Sequence, residues 1–287
     1  MTPGADLAGT DLAGTALAGT VTTAAAPDAA APDAVAPVDS GIAAPTGWRS
    51  WRALVVQLGG ILIVLAALII WLMLAPLSPT ELTTLAPAAL WGYTVQHLQL
   101  TVLAAVIVLV IAVPLGILLT RNRFRFLSGP VLAIANIGQA APSIGLLVLL
   151  AFWLGFGFWS AVIALVLYGV LPVLRNTMVG LQHVDPRLVE AGRGMGMTST
   201  AVLFTVELPM AVPIMLAGIR TALVLLVGTA ALAAFINGGG LGILITTGVQ
   251  LNLPAVLATG SILVALLALL VDWAGRVVEH VARPKGL

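Results

Sequence analysis

Six long apolar runs dominate this chain, at about residues 53–75, 95–120, 128–154, 158–175, 211–236 and 254–273. Crossing a bilayer's hydrocarbon core takes roughly 20 apolar residues as a helix, and each run is close to that length. Lipid offers no partner for a free backbone N–H or C=O, so each span is expected to be helical. The fold class that follows is an all-α integral membrane protein with six transmembrane helices. Composition agrees, because 60% of the 287 residues are hydrophobic and 8% are charged. A soluble domain carries about a quarter charged residues.

Arginine placement tests the span count. Arg49 and Arg52 precede the first run, and Arg121, Arg123 and Arg125 lie between the second and third. Arg175, Arg187 and Arg193 fall between the fourth and fifth, Arg220 lies early in the fifth, and Arg276, Arg283 and Lys285 follow the sixth. Six spans put every one of these groups on one side, whereas a miscount would scatter them. Basic residues collect on the cytoplasmic face, so both termini are expected to be cytoplasmic. All seven tryptophans sit near span ends, as interfacial residues do.

Residues 1–47 read differently. They hold five aspartates, no Lys or Arg, and the tetrapeptide LAGT at residues 7, 12 and 17. Without aromatics or helical periodicity such a segment cannot bury enough surface to offset the entropy of ordering, so a disordered acidic tail is expected. No basic start followed by an apolar run marks a signal peptide. The chain has no cysteine and three scattered histidines, which excludes disulfides and thiolate chemistry and gives no metal site.

The longest loop on the basic side, residues 176–210, carries charge and glycine together in "EAGRGMGM". Asp185-Pro186 is a helix start, since Asp accepts from free N–H groups and Pro fits a first turn. A short helix is expected to run to about Arg193, broken by Gly192, Gly194 and Gly196. Thr198 or Ser199 caps a second helix running toward Glu207, and Pro209 and Pro213 are expected to end it before the fifth span. Val202, Leu203 and Val206 form an apolar stripe on that second helix. The bland reading is a packed connector; a rigid helix–turn–helix presented to a partner is the sharper one.

The spacing of this loop resembles the one shared by permease subunits of ATP-binding-cassette importers. That pattern is Glu-Ala-Ala, three residues, Gly, nine residues, then Ile-x-Leu-Pro. Here Glu190-Ala191-Gly192, three residues, Gly196 and nine residues lead to Val206-Glu207-Leu208-Pro209, with Gly replacing the third-position Ala and Val replacing Ile. "PLGILLTR" (114–121), "LPVLRNT" (171–177), "VELPMAVPIMLAGIR" (206–220) and "GGGLG" (238–242) are similar to permeases of the osmoprotectant branch, which import glycine betaine, carnitine and choline. The match covers about residues 94–280. It implies a permease core over 94–287 of type I importer architecture, preceded by an extra helix and outer loop (48–93) and the tail (1–47).

The resemblance implies roles for Glu190, Gly196 and the stripe of Val202, Leu203 and Val206. The loop docks in a groove of a separate cytoplasmic ATPase, which uses ATP and magnesium. Glu190 offers a carboxylate, Gly196 permits a close turn, and the stripe fills an apolar cleft. It further implies an extracytoplasmic solute-binding protein and a second permease, identical or paralogous, in the inner membrane of a prokaryote. Nucleic acid is not among the partners implied. The chain itself has no phosphate-cradling Gly-Lys-Ser/Thr, its single lysine lying in "RPKGL", so it is not expected to hydrolyse ATP alone; the resemblance implies a transporter subunit and not an enzyme, with no cofactor bound by this chain. It ends about fourteen residues after the last run, so a fused binding protein is not expected.

Polar residues inside spans face a pore or a neighbouring helix. Asn136, Gln139 and Ser143 fall at i, i+3 and i+7 of the third run, one helical face beside Pro142. They either line the passage or bond between helices. "NGGGLG" (237–242) is a gate, a docking surface or a plain helix terminator. His97 reads as an interfacial hydrogen-bonder, Arg220 as a snorkelling side chain, and Asp272 as a partner for Arg276. Methionine and other amino-acid importers share the loop, so cargo rests on the weaker blocks. An autonomous carrier would expect buried acids deep in the spans, and an intramembrane enzyme a catalytic constellation; neither pattern is present.

Overall fold

The computed structural model describes residues 47–282. The acidic tail therefore lies, but for Gly47, outside the described residues, as do Arg283 and Lys285. The described chain is helical: α1 (Gly47–Leu74), α2 (Pro79–Thr84), α3 (Pro87–Thr120), α4 (Ser128–Ala140), α5 (Ser143–Leu154), α6 (Phe158–Gln182), α7 (Pro186–Gly194), α8 (Ser199–Val202), α9 (Leu208–Ala230), α10 (Gly242–Gln250) and α11 (Pro254–Ala282).

Helices in lipid gain little from hydrophobic exclusion and associate through close packing, which small residues permit. α6 lies at the centre for this reason. A β-carbon on Gly116 of α3 would meet Thr177 of α6 at 2.8 Å, and one on Gly169 of α6 would meet Val108 of α3 at 2.9 Å. On its other side α6 presses Asn176 against Gly218 of α9 so closely that a β-carbon there would lie 2.3 Å away. Leu100, Leu165, Leu226 and Ile236 fill the core between these helices, each almost wholly buried.

Those contacts also give direction. Residue pairs 116/177 and 108/169 rise together, so α3 and α6 run parallel. The intervening α4 and α5 must then return the chain to the end where α3 began. They do so as a broken span, bent by 99°, where an unbroken helix over 128–154 was expected. Pro142 is the cause: it has no N–H to continue the ladder and forces Ala141 into an extended conformation (φ −62°, ψ 140°). The carbonyl freed at Ala141 accepts a hydrogen bond from the buried Tyr168 hydroxyl of α6, so the break is held from the core. Among the described residues five helices are long and apolar enough to cross a membrane, and the bent pair, counted as one span, makes a sixth.

A second departure lies at Pro209 and Pro213. Neither ends the helix; residues 199–236 form one long helical segment. A proline ring clashes with the carbonyl four residues back, and the chain relieves this by widening to a π-turn over Leu203–Glu207, with Leu208 N–H bonded to the Leu203 carbonyl.

α1 packs against α11 in antiparallel fashion. Trp273 Nε1 donates to the Leu54 carbonyl at 3.0 Å, Gln57 donates to Asp272 at 3.1 Å, and Trp51 meets His280 edge-on at 5.0 Å. Arg220 does not snorkel. It pairs with Asp272 at 3.6 Å and Glu279 at 3.0 Å, while Asp272 also takes Arg276 at 2.9 Å. The ion pairs form two groups: Arg121 with Glu207 where α3 ends beside the root of α9, and Arg220, Asp272, Arg276 and Glu279 between α9 and α11.

Candidate coupling segment and translocation path

The segment between α6 and α9 is built from local signals. Asp185 caps α7, its Oδ1 accepting from Arg187 N–H at 2.9 Å, and Pro186 occupies the first turn. Gly192 and Gly194 lie inside α7 and do not break it. Gly196 does, adopting a left-handed φ of 83°. Met197 N–H then bonds back to the Gly192 carbonyl at 3.1 Å and Gly196 N–H to the Arg193 carbonyl at 2.9 Å, the paired bonds of a Schellman stop. Thr198 caps α8 through Ala201 N–H at 3.2 Å.

Gly192 is buried because α8 rests on it: a β-carbon there would touch Val202 at 3.4 Å and Val206 at 3.8 Å. This corrects the role expected of the stripe. Val202 is 1% exposed and, with the half-buried Val206, clamps α7 to the root of α9 and is not offered to a partner. Leu203 and Leu208 pack inward beside Leu181 and Met215. Pro209 is exposed on the outer side of the widened turn. The outward apolar groups are Leu188, Met195 and Phe204, with Glu190, Ala191 and Arg193 exposed beside them. Periodicity could not single out Met195, which stands alone among glycines.

Behind α7 lies a cleft of about 470 Å³, lined by Thr120, Arg121, Gln182, Glu190, Arg193 and Glu207 among others. At its floor Arg121, at the end of α3, grips Glu207 at both carboxylate oxygens; the Nη1–Oε1 bond is 3.3 Å. Glu207 is 7% exposed. Sequence reasoning missed this pair, because nothing periodic links residues 86 positions apart.

Asn136, Gln139 and Ser143 do not form one face of one helix. The first two lie on α4, and Ser143 opens α5 beyond the 99° break. Asn136 is exposed, and Gln139 and Ser143 are half-buried. Gln139 and Ser143 flank the kink and Asn136 lies one turn before Gln139 on α4, so the stripe expected on one face is divided between two helices.

At the opposite end, His97 is no interfacial group: it is wholly buried. Its Nδ1 accepts from Leu241 N–H at 3.3 Å, which leaves the ring proton on Nε2 to donate to the Val227 carbonyl at 3.0 Å. Gln96 accepts from Gly240 N–H at 3.2 Å. Gly239 and Gly240 adopt φ of 87° and 88° with these side chains about 3 Å from where a β-carbon would sit, so the glycine loop is docked onto α3.

Comparison with known proteins places this architecture. Residues 112–283 match the family model of the binding-protein-dependent transport system inner membrane component. The chain is 42% identical over 194 residues, 68% of its length and 88% of the relative's, to the glycine betaine/carnitine/choline transport system permease protein OpuCB of Bacillus subtilis. It is 42% identical over 199 residues (68% and 92%) to the osmoprotectant import permease protein OsmW of Salmonella typhimurium. A solved structure of inward-facing MetNI, a methionine ABC transporter, aligns with a TM-score of 0.59 at 26% identity, covering 69% of this chain and 99% of that one. The six crossings, the kinked span and the α7–α8 segment are therefore those of a transporter subunit: the chain belongs to the family of inner-membrane components of binding-protein-dependent transport systems.

Proposed function

We propose that the chain is the permease subunit of an ATP-driven importer for quaternary-ammonium osmoprotectants of the glycine betaine, choline and carnitine type. The observation that carries the cargo is the identity of about two residues in five, over about two thirds of the chain, with relatives named for these solutes. The arginine-bearing end is cytoplasmic by the positive-inside rule, so both termini are cytoplasmic too. α7 then faces a separate ATPase, presenting Leu188, Met195 and Glu190 on a helix clamped from behind. An extracytoplasmic binding protein delivers the solute to the end that carries His97 and the glycine loop.

A second permease, identical or paralogous, completes the passage, and two coupling segments meet two ATPases. ATP binding opens the passage outward and hydrolysis resets it. The kink at Pro142, held by Tyr168, borders the path, with Asn136, Gln139 and Ser143 near it. A quaternary ammonium ion has no N–H to donate and is recognised by aromatic faces. The exposed aromatics Phe152, Trp153 and Phe156 cluster where α5 ends, away from the kink, which leaves selection chiefly to the binding protein.

The test is uptake into proteoliposomes holding the chain, its ATPase and its binding protein. Labelled glycine betaine or choline should enter with ATP and methionine should not. Preferred uptake of methionine would move the cargo to the class of the structural neighbour, and uptake by the chain alone would remove the ATPase from the scheme.

A further inference from the structure

We propose that Arg121 and Glu207 form a positioning pair that carries the motion of the coupling segment into α3 as well as α9. This rests on the function proposed above. α9 receives any displacement of α7 and α8 directly, because the π-turn joins them covalently. α3 has no such covalent connection; it meets this region by packing, with Val113 and Ile117 against the apolar cluster that also gathers Val189, Leu203 and Leu208. Its chain leaves Thr120 for a short turn toward α4, and α7 stands off from it across the 470 Å³ cleft.

The ion pair closes that gap. Arg121 ends α3, and Glu207 is the last residue of the π-turn. The guanidinium engages both carboxylate oxygens, so it constrains orientation as well as distance, which a point charge would not. The carboxylate is almost fully buried and accepts from Arg121 at both oxygens; Arg121 Nε is buried with no partner of its own. Parting the two would strand a buried charge, so the ends of α3 and α9 move as one body. α3 in turn runs parallel to α6 with Gly116 pressed on Thr177, so the displacement reaches the core.

The experiment uses the reconstituted complex with the ATPase and binding protein, and reads three quantities: solute uptake, ATP hydrolysis, and ATPase retained on the permease. Glu207→Gln and Arg121→Gln should each retain the ATPase while uptake falls about tenfold or more, so that ATP consumed per solute rises by the same factor. Arg121→Lys keeps the charge and loses the fork, and should fold while still raising ATP per solute. The exchange Arg121→Glu with Glu207→Arg should recover part of the uptake lost by either single change. Uptake within about twofold of the parent in Glu207→Gln would overturn the proposal. So would loss of the retained ATPase in step with uptake, which would make the pair a shaper of the docking surface, or an exchange no better than the single changes. Failure of the parent complex to show ATP-dependent uptake would instead strike the proposed function itself.

Discussion

Replacing His97 with leucine removes two hydrogen bonds from a wholly buried site while keeping a side chain of similar bulk. Leu241 N–H then has no acceptor, because its bond at 3.3 Å is to His97 Nδ1 and water does not reach the position. An orphaned buried N–H costs about 1–3 kcal/mol. Val227 loses a bond at 3.0 Å, but its carbonyl lies in α9 and keeps its place in the helix, so most of the cost falls on Leu241. At 1.4 kcal/mol per tenfold, local opening of the glycine loop should become about 5- to 150-fold more frequent. Hydrogen–deuterium exchange of the peptide covering 237–244 in detergent or nanodiscs reads this directly, with α6 peptides as the unchanged reference. Gln96→Leu should give a smaller increase, since Gln96 is exposed and water replaces it as the acceptor for Gly240. Unchanged exchange in His97→Leu would refute the argument that this ring holds the loop to α3.

Two further outcomes follow from local geometry. Gly196→Ala should lower the thermal midpoint, because a left-handed φ of 83° costs a non-glycine residue about 1–2 kcal/mol, whereas Gly194→Ala, at the last residue of α7 with open space around it, should raise it slightly; shifts of the same sign would contradict the assigned helix stop. Glu81, between the first two spans, is held below its ordinary pKa by the Ser78 backbone N–H and hydroxyl, each 2.9 Å from its carboxylate, and by the Ala255 backbone. Its depressed pKa means that its stabilisation is present above the unfolded-state value and disappears as pH falls through the folded-state value. The midpoint difference between the parent and Glu81→Gln should therefore be open at neutral pH and narrow as pH falls below the ordinary carboxylate range; a gap that does not narrow in acid would be inconsistent with that role.

Much of the architecture was legible in the chain because the relevant signals are local. Apolar run length located the spans, and the count of six drawn from the one-sided arginines agrees with five long helices plus the bent pair among the described residues. Asp185-Pro186 and Thr198 announced their caps, since a cap needs only its own few residues. The errors share one cause, which is that the outcome depended on a distant partner. Pro142 lies inside a run that reads as one helix, and it breaks that helix with Tyr168, from α6, satisfying the freed carbonyl. Pro209 and Pro213 were expected to stop a helix, but a π-turn absorbs the misfit. Val202 and Val206 looked available on a helical wheel, yet Gly192 lets α7 lie against them. His97 and Arg220 carried no sign of their partners, which sit 144 and 59 positions away in sequence.

The account turns on α7 being held from inside the cell by a separate ATPase. The chain has no cysteine, so a single cysteine at Met195, exposed at the tip of α7, can carry a photoreactive maleimide at one defined place. Irradiation of membranes containing the whole transporter should join this position to the ATPase subunit, while the same label at Trp153, at the far end of α5, should not. A probe at Met195 that reacts from outside intact cells, or that never captures the ATPase, would contradict the account.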